Sequence, residues 1–146
     1  EGSEKNHIKQ RILKEDIANV CLLPFQKRED YFNIINSSDI ALVTLDKRMK
    51  APCLPGKIKD LLALKKPIIA SLSKNTETAD FIKKTKAGIV LDSDSTDDLY
   101  NNLLLIKDKK DLKNNMGENG KLFLKKNMDI GKNVEKYENI FEKMTL

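Results

Sequence analysis

Residues 40–72 read IALVTLDKRMKAPCLPGKIKDLLALKKPIIASL, and this stretch carries two hydrophobic periods in succession. Residues 40–45 (IALVTL) and 67–72 (PIIASL) are short, largely apolar, β-rich runs bounded by polar or turn residues. Runs of that length are too short for buried helices and read as buried strands. Between them, residues 57–64 keep a helical period. A strand, a helix and a second strand in that order form a crossover unit, which places the two strands parallel.

Outward from this unit the same alternation continues. Residues 20–25 (VCLLPF) and 88–91 (GIVL) add two more strand-like runs, so four buried strands are expected. Helix-period segments occupy residues 4–15, with Ile8, Ile12 and Leu13 on one side, residues 28–35, with Tyr31, Phe32 and Ile35, and residues 77–84. The expected class is α/β, a parallel sheet flanked by helices. After Leu91 no strand pattern recurs. Ser95 and Asp98 form a capping-box start ahead of Leu99, Leu103 and Ile106. Residues 111–127 carry Leu112, Met116, Phe123 and Leu124, but Gly117 and Gly120 weigh against one uninterrupted helix, each costing about 1 kcal/mol relative to Ala. Residues 129–144, with Val134, Tyr137, Ile140, Phe141 and Met144, form an amphipathic helix. With no internal repeat, low-complexity tract or linker, residues 1–146 read as a single domain with residues 95–146 as its C-terminal helical segment.

Composition narrows the function classes. The chain has 146 residues, 40% hydrophobic and 34% charged, enough for a real core. No apolar window reaches the length of a spanning helix, and EGSEKNHIK lacks the layout of a signal peptide, so a soluble intracellular protein is expected. Cys21 and Cys53 are too few and too scattered for a disulfide framework or a cysteine zinc site. His7 is the single histidine, so any Ser-His-Asp or Cys-His site would have to be built on it, and the sequence offers it no partner within a helical turn. The charge of +5 comes from 27 Lys and Arg against 22 Asp and Glu, with Arg only at 11, 28 and 48. Dispersed lysines with 5% aromatics are a solvated surface, and they argue against nucleic acid as a partner.

In open parallel sheets ligands bind beyond the carboxyl ends of the strands, where helix N-termini present free N–H groups. The loop after residues 40–45 is the richest such place: Asp46, Lys47, Arg48, Met49, Lys50, Ala51, Pro52, Cys53, Leu54 and Pro55 precede Gly56 and Lys57 at a helix start. Three cations, two prolines and a glycine there would stabilise an anion such as a diphosphate. Asp60, one turn into the helix, could accept two hydrogen bonds from the vicinal hydroxyls of a ribose. Equally, Asp in a first turn compensates the helix dipole, worth about 0.3–1 kcal/mol. Asn75, Thr76 and Glu77 at the next strand-to-helix junction could meet sugar hydroxyls or phosphate, and they also suit a plain helix cap. Cys53 reads as a small apolar filler rather than a nucleophile.

Taken jointly, NVCLLPFQKREDYFNIINSSDIALVTL, CLPGKIKDLLALKKPIIAS, AGIVL and KNNMGENGKLFLKKN resemble the C-terminal, donor-binding domain of the retaining two-domain glycosyltransferases of the GT-B class, family four, in its bacterial polysaccharide-synthesis branch. The matching features are Pro55-Gly56-Lys57, Asp60, Pro67-Ile68-Ile69-Ala70-Ser71 and Met116-Gly117-Glu118-Asn119. The resemblance implies a Rossmann-like fold and transfer of a sugar, of hexosyl type, from a nucleoside diphosphate sugar with retained configuration. It implies no metal and no cofactor beyond that substrate. The family's E-x7-E element falls on Pro52 through Asp60, so Asp60 takes the ribose position and Pro52 replaces the first acid. Backbone groups of Gly56, Lys57 and Ile58 would lie near the ribose and diphosphate, Phe25 and Gln26 near the base, Thr44 and Leu45 at the edge of that pocket, and Glu77 near the donor.

The family's donor domain has six strands in the order 3-2-1-4-5-6, so two central strands, and the N-terminal acceptor domain, are expected to lie outside this sequence. The expectation is a fragment inactive alone, able to self-associate through an incomplete sheet, with a lipid-linked or saccharide acceptor and a cytoplasmic location peripheral to the inner membrane face. Two readings from other classes stay open: a noncatalytic transferase-like interaction module and, behind it, a response-regulator-like domain, which lacks here an acidic cluster ending the first strand.

Overall fold

The computed structural model describes residues 2–49, 53–92 and 95–144. The chain divides into two compact units, residues 1–34 and 35–146.

The first unit contains α1 (Lys5–Lys14) and most of α2 (Arg28–Ser37). No residue of α1 is buried. Arg11 closes a two-point contact on Glu15 one turn later, Nε to Oε1 at 2.9 Å and Nη2 to Oε2 at 3.1 Å. At the start of α2 the Arg28 guanidinium lies 5.5 Å from the Phe32 ring centroid, and Phe32 in turn meets Tyr31 at 5.4 Å. Residues 20–25 form no strand, which corrects the expected four-strand sheet to three. They run as irregular, exposed chain, with Phe25 88% exposed. An apolar run with Val20 and Phe25 favours an extended backbone, but a strand exists only where a second strand supplies the ladder, and residues 20–25 are in none of the ladders described.

The second unit is the α/β fold anticipated from residues 40–72. Its sheet has three parallel strands, β1 (Ala41–Thr44), β2 (Ile68–Ser71) and β3 (Gly88–Leu91), in the order β1-β2-β3. The register pairs Ala41 with Ile68 and Ile68 with Gly88, and the ladder extends at its carboxyl end through Leu45 N–H to Ser71 O (3.1 Å) and Leu72 N–H to Leu91 O (3.2 Å). The central strand is the most deeply buried: Ile68, Ile69, Ala70 and Leu72 have no exposed surface. That is why its sequence is continuously apolar rather than alternating. Ile69 packs with Leu91, Ile106 and Met116, so helices α5 (Thr96–Asp108) and α6 (Lys110–Asn127) contribute to one apolar cluster with the sheet. On α3 (Gly56–Ala63), Ile58, Leu61 and Leu62 are buried at helical spacing. On α4 (Glu77–Thr85), the buried residues are Thr78, Ala79, Ile82 and Thr85.

Helix starts follow side-chain chemistry. Thr76 caps α4 by accepting the Ala79 N–H (3.2 Å), and Ser95 caps α5 by accepting the Asp98 N–H (3.1 Å), as the capping pattern predicts. The glycines of α6 do not interrupt it. A Cβ on Gly117 would lie 2.3 Å from the Lys65 carbonyl oxygen, and one on Gly120 would lie 2.8 Å from Leu62 Cδ2 and 3.0 Å from Ala87 Cβ. The absent side chains let α6 lie directly on α3 and its following turn. Interhelix packing thereby offsets the helix propensity that two glycines give up. The last helix, α7 (Ile130–Met144), has no buried residue. No helix among the described residues is long and apolar enough to cross a membrane.

Candidate functional site

Because β1 and β2 are parallel and each is followed by a helix, α3 and α4 begin on the edge of the sheet where the strands end. The sequence-selected residues of the second unit gather on that edge. Thr44 ends β1 and is exposed, and Leu45, half-buried, follows it. Pro55 precedes α3 with no side-chain cap, because proline has no polar side chain to offer. Gly56 and Lys57 are exposed in the first turn, and the space around Gly56 is open, with nothing within 4 Å of a Cβ built there. Orphan N–H groups at an uncapped helix start attract anions.

Ile58 plays another part. Its side chain is fully buried, and its N–H donates to the Pro55 carbonyl at 3.0 Å, so Ile58 anchors the start of α3 to the core. Asp60 is half-buried one turn into the helix, and its carbonyl accepts the Leu64 N–H at 3.0 Å. Glu77 is exposed in the first turn of α4. Next to it, the Thr78 hydroxyl donates to the Cys53 carbonyl, joining the start of α4 to the loop that leads into α3. Sequence reasoning missed this contact. A threonine inside a helical pattern carries no mark that its hydroxyl reaches a backbone carbonyl 25 residues away.

The loop after β1 is also less cationic than its composition suggests. Asp46 takes Arg48 in a bidentate contact, Nη2 to Oδ2 at 2.6 Å and Nε to Oδ1 at 3.0 Å, and its Oδ1 accepts the Arg48 N–H at 2.8 Å. Hydrogen bonds from the Arg48 side chain, then from its backbone, hold the Asp46 carboxyl well below the usual carboxylate range. Of the three cations counted from the sequence, Arg48 is therefore neutralised locally, Lys47 lies in the described loop, and Lys50 lies outside the described residues, as do Ala51 and Pro52.

Phe25 and Gln26 belong to the first unit. They line an open cleft of about 590 Å³ with Pro24, Lys27, Arg28 and Tyr31, and Gln26 Nε2 donates to the Pro24 carbonyl at 2.7 Å. His7 has a neighbour that sequence reasoning did not find: its Nδ1 lies 3.3 Å from Glu4 Oε2, three residues earlier on an exposed surface. Cys53 is half-buried and Cys21 exposed, both free thiols.

The opposite edge of the sheet, at the amino ends of β1 and β2, holds a polar cleft of about 570 Å³. Its lysines are occupied. Lys65 meets Glu118 at 2.5 Å, Lys113 meets Asp39 at 2.7 Å, and Lys66 Nζ donates to the carbonyls of Asn36 (2.8 Å) and Ser38 (2.9 Å). These contacts tie α6 and the turn after α3 to the chain ahead of β1. Met116-Gly117-Glu118-Asn119 lies at this edge: Met116 is buried in the core, Gly117 and Glu118 meet Lys65, and Asn119 Nδ2 donates to the Lys86 carbonyl at 3.4 Å. Its contacts are structural.

Comparison with known families matches residues 1–123 to the family described as glycosyl transferases group 1. Comparisons with curated proteins and with solved structures find no match.

Proposed function

The chain belongs to the group 1 glycosyl transferases, and from that premise we propose that it is the donor-binding part of a retaining GT-B enzyme of family four, in the bacterial polysaccharide-synthesis branch. In this reading residues 1–146 are part of one nucleotide-sugar-binding domain, and the acceptor is held by a separate N-terminal domain.

The observation that carries the reading is the uncapped start of α3 beyond the carboxyl end of β1, with Gly56 and Lys57 exposed there and Asp60 one turn further on. The N–H groups of Gly56 and Lys57, with the Lys57 ammonium, would face the diphosphate. The Asp60 carboxylate would accept hydrogen bonds from the ribose hydroxyls. Thr44, Leu45 and Glu77 border the same edge, and the base contact is proposed for Phe25 and Gln26 on the resemblance alone. The Ile58 amide is engaged with Pro55, so the contribution of Ile58 is to hold the turn.

In the transfer step the bond between the anomeric carbon and the diphosphate oxygen breaks while the acceptor oxygen bonds to the same face of that carbon. The electron pair of the broken bond leaves with the diphosphate, where helix N–H groups and cations stabilise it, and the acceptor proton passes to the departing phosphate oxygen. No protein nucleophile and no metal are needed in that scheme. The polysaccharide or glycolipid product, a lipid-linked or saccharide acceptor and a cytoplasmic location beside the membrane complete the proposal. In this proposal residues 1–146 bind the donor and do not by themselves transfer it.

Calorimetric titration of the folded chain with UDP and with GDP tests the reading. Saturable binding of either supports it, and no binding of both by folded protein overturns it. The pairing of Arg48 with Asp46 favours a second reading, a noncatalytic transferase-like interaction module, since it removes a cation from the loop. That module would bind neither nucleotide.

A further inference from the structure

Helix α4 buries two threonines, Thr78 near its start and Thr85 at its end. The Thr85 hydroxyl donates to the Ile82 carbonyl at 2.8 Å, the local bond that a threonine in a helix commonly makes to the preceding turn. Thr78 departs from that pattern. It is 1% exposed, and its hydroxyl donates to the Cys53 carbonyl, in the loop that leads into α3. Helix α4 has its own cap without this bond, because the Thr76 hydroxyl accepts the Ala79 N–H and donates to the Ser73 carbonyl at 2.9 Å. The Thr78 bond therefore fixes the loop rather than the start of the helix that carries it.

Cys53 is followed by Leu54 and Pro55, and then by Gly56, where α3 begins. Pro55 has φ −55° and ψ 128°; its ring permits little departure from that φ, and the residue before a proline is held extended. A displacement of the Cys53 carbonyl is thus passed on to Gly56, with few rotations between them to absorb it. On the far side of the turn the Ile58 N–H donates to the Pro55 carbonyl at 3.0 Å, and the Ile58 side chain is buried. Gly56 and Lys57 are held from both directions, by Thr78 ahead of them and by Ile58 after them.

From this geometry, and resting on the donor-site reading above, we infer that Thr78 is a positioning residue for the diphosphate of the donor. Thr78 is argued to act through the Cys53 carbonyl, which sets where the N–H groups of Gly56 and Lys57 stand. Hydrogen bonds weaken steeply once their angle or length departs from the optimum, so the diphosphate contacts are the first to suffer when that carbonyl is released. Asp60 lies one turn further on, in a helix fixed to the core by Ile58, Leu61 and Leu62, and its ribose contact depends less on the loop. Thr78 consequently governs the preference for a nucleoside diphosphate over the monophosphate of the same base.

Calorimetry on the whole chain with UDP beside UMP, and GDP beside GMP, tests this. The wild type should prefer the diphosphate. Thr78→Val should lower diphosphate affinity roughly tenfold and monophosphate affinity less, the loss expected for one charge-assisted hydrogen bond. Thr78→Ala repeats the test without the valine methyls, and Thr78→Ser, which keeps the hydroxyl, should retain most of the preference. Thr85→Val removes a buried hydroxyl from the other end of the same helix and should leave the preference as in the wild type. In a Cys21→Ser background, Thr78→Val should also speed the reaction of the Cys53 thiol with dithionitrobenzoate, and Thr85→Val should not. Circular dichroism identifies the folded variants. An unchanged preference in folded Thr78→Val or Thr78→Ala, an equal loss in Thr85→Val, a Thr78→Ser variant no better than Thr78→Val, or a wild type that binds mono- and diphosphate alike overturns the inference and leaves the donor reading standing. No binding of any of the four nucleotides by folded wild type overturns the donor reading, and the inference with it.

Discussion

Gly117 on α6 lies against the backbone of Lys65, the residue that leaves α3, so closely that a Cβ at position 117 would stand 2.3 Å from the Lys65 carbonyl oxygen. Lys65 itself has a positive φ of 55°, and its ammonium returns to Glu118 on α6 at 2.5 Å. One residue of α6 is thus shaped to the turn after α3 and the next is charged to hold it. That turn leads directly into β2, and β2 is the middle of the sheet. The proposed donor site at the other end of α3 therefore rests on a helix whose far end is clamped by α6.

Gly117→Ala is expected to destabilise the chain by about 1–3 kcal/mol, because the obstructing atom is backbone and has little freedom to move. Gly131→Ala, at the exposed start of α7, is expected to change stability by less than about 1 kcal/mol, because the propensity gained is set against a Cβ 3.3 Å from Asp129 Oδ1. Urea denaturation of the two variants beside the wild type measures both. Equal and stabilising effects would show that α6 does not press on the Lys65 turn.

Thr78→Val keeps the shape of a buried side chain and removes the hydroxyl that the Cys53 carbonyl accepts. The loss should be about 1–3 kcal/mol, the range for leaving a buried polar group without its partner. On the proposed function, the same substitution loosens the loop before Gly56 and weakens UDP or GDP binding. A variant with unchanged stability and unchanged affinity would remove Thr78 from the account of the site.

Asp60→Asn tests the ribose contact without altering side-chain size. A hydrogen bond to a charged acceptor is worth about 1.5–3 kcal/mol, so nucleotide affinity should drop roughly tenfold or more while the melting temperature holds. Calorimetry and a thermal melt on the same sample separate the two. Unchanged affinity would return Asp60 to the simple role of a carboxylate near a helix start.

The pH dependence has a definite sign. Hydrogen bonds from Arg48, Lys113 and Arg11, each the largest cause, lower the titration of Asp46, Asp39 and Glu15 in the folded chain. A carboxyl whose folded pKa is depressed contributes stability that is complete above its unfolded value and disappears as pH falls through the folded one. Melting temperature should therefore hold from neutral pH down to the ordinary carboxylate range and decline below it. Lys113→Met should flatten part of that decline, since it removes the largest cause of the lowered Asp39 titration, and an unaltered acid limb would count against the Lys113–Asp39 contact.

Much of the fold was legible in the sequence. The runs at 40–45, 67–72 and 88–91 became β1, β2 and β3 within a residue or two, since a continuous apolar run between turn residues has few other uses in a small α/β chain. Thr76 and Ser95 announced α4 and α5 because a cap acts within one turn, and everything it needs is adjacent in the chain. Of the candidate site, the α3 start with Gly56, Lys57 and Asp60 was readable for the same local reason. Apart from the His7–Glu4 pair, what the sequence concealed is nonlocal: the Thr78 bond to Cys53, the contact of Gly117 with Lys65 and the lysine contacts at the amino edge of the sheet. The Asp46–Arg48 pair was local and visible as D-x-R, yet composition alone counted Arg48 as a free cation.

The sequence by itself determined which segments are helical or extended, where the helices start and which side of each one is apolar, because propensity, capping and periodicity act over a few residues. Only the tertiary structure decided that residues 20–25 are not a strand and that the two glycines of α6 belong inside a helix. Residues 20–25 are a short apolar run as β2 is, but a ladder needs partners that composition does not specify. Gly117 and Gly120 look like helix breakers until the Lys65 carbonyl oxygen lies 2.3 Å from the Cβ position that the first leaves empty, and Leu62 and Ala87 lie 2.8 and 3.0 Å from that of the second. In both cases the deciding energy comes from contacts between segments distant in the chain, and such contacts exist only once the chain has folded.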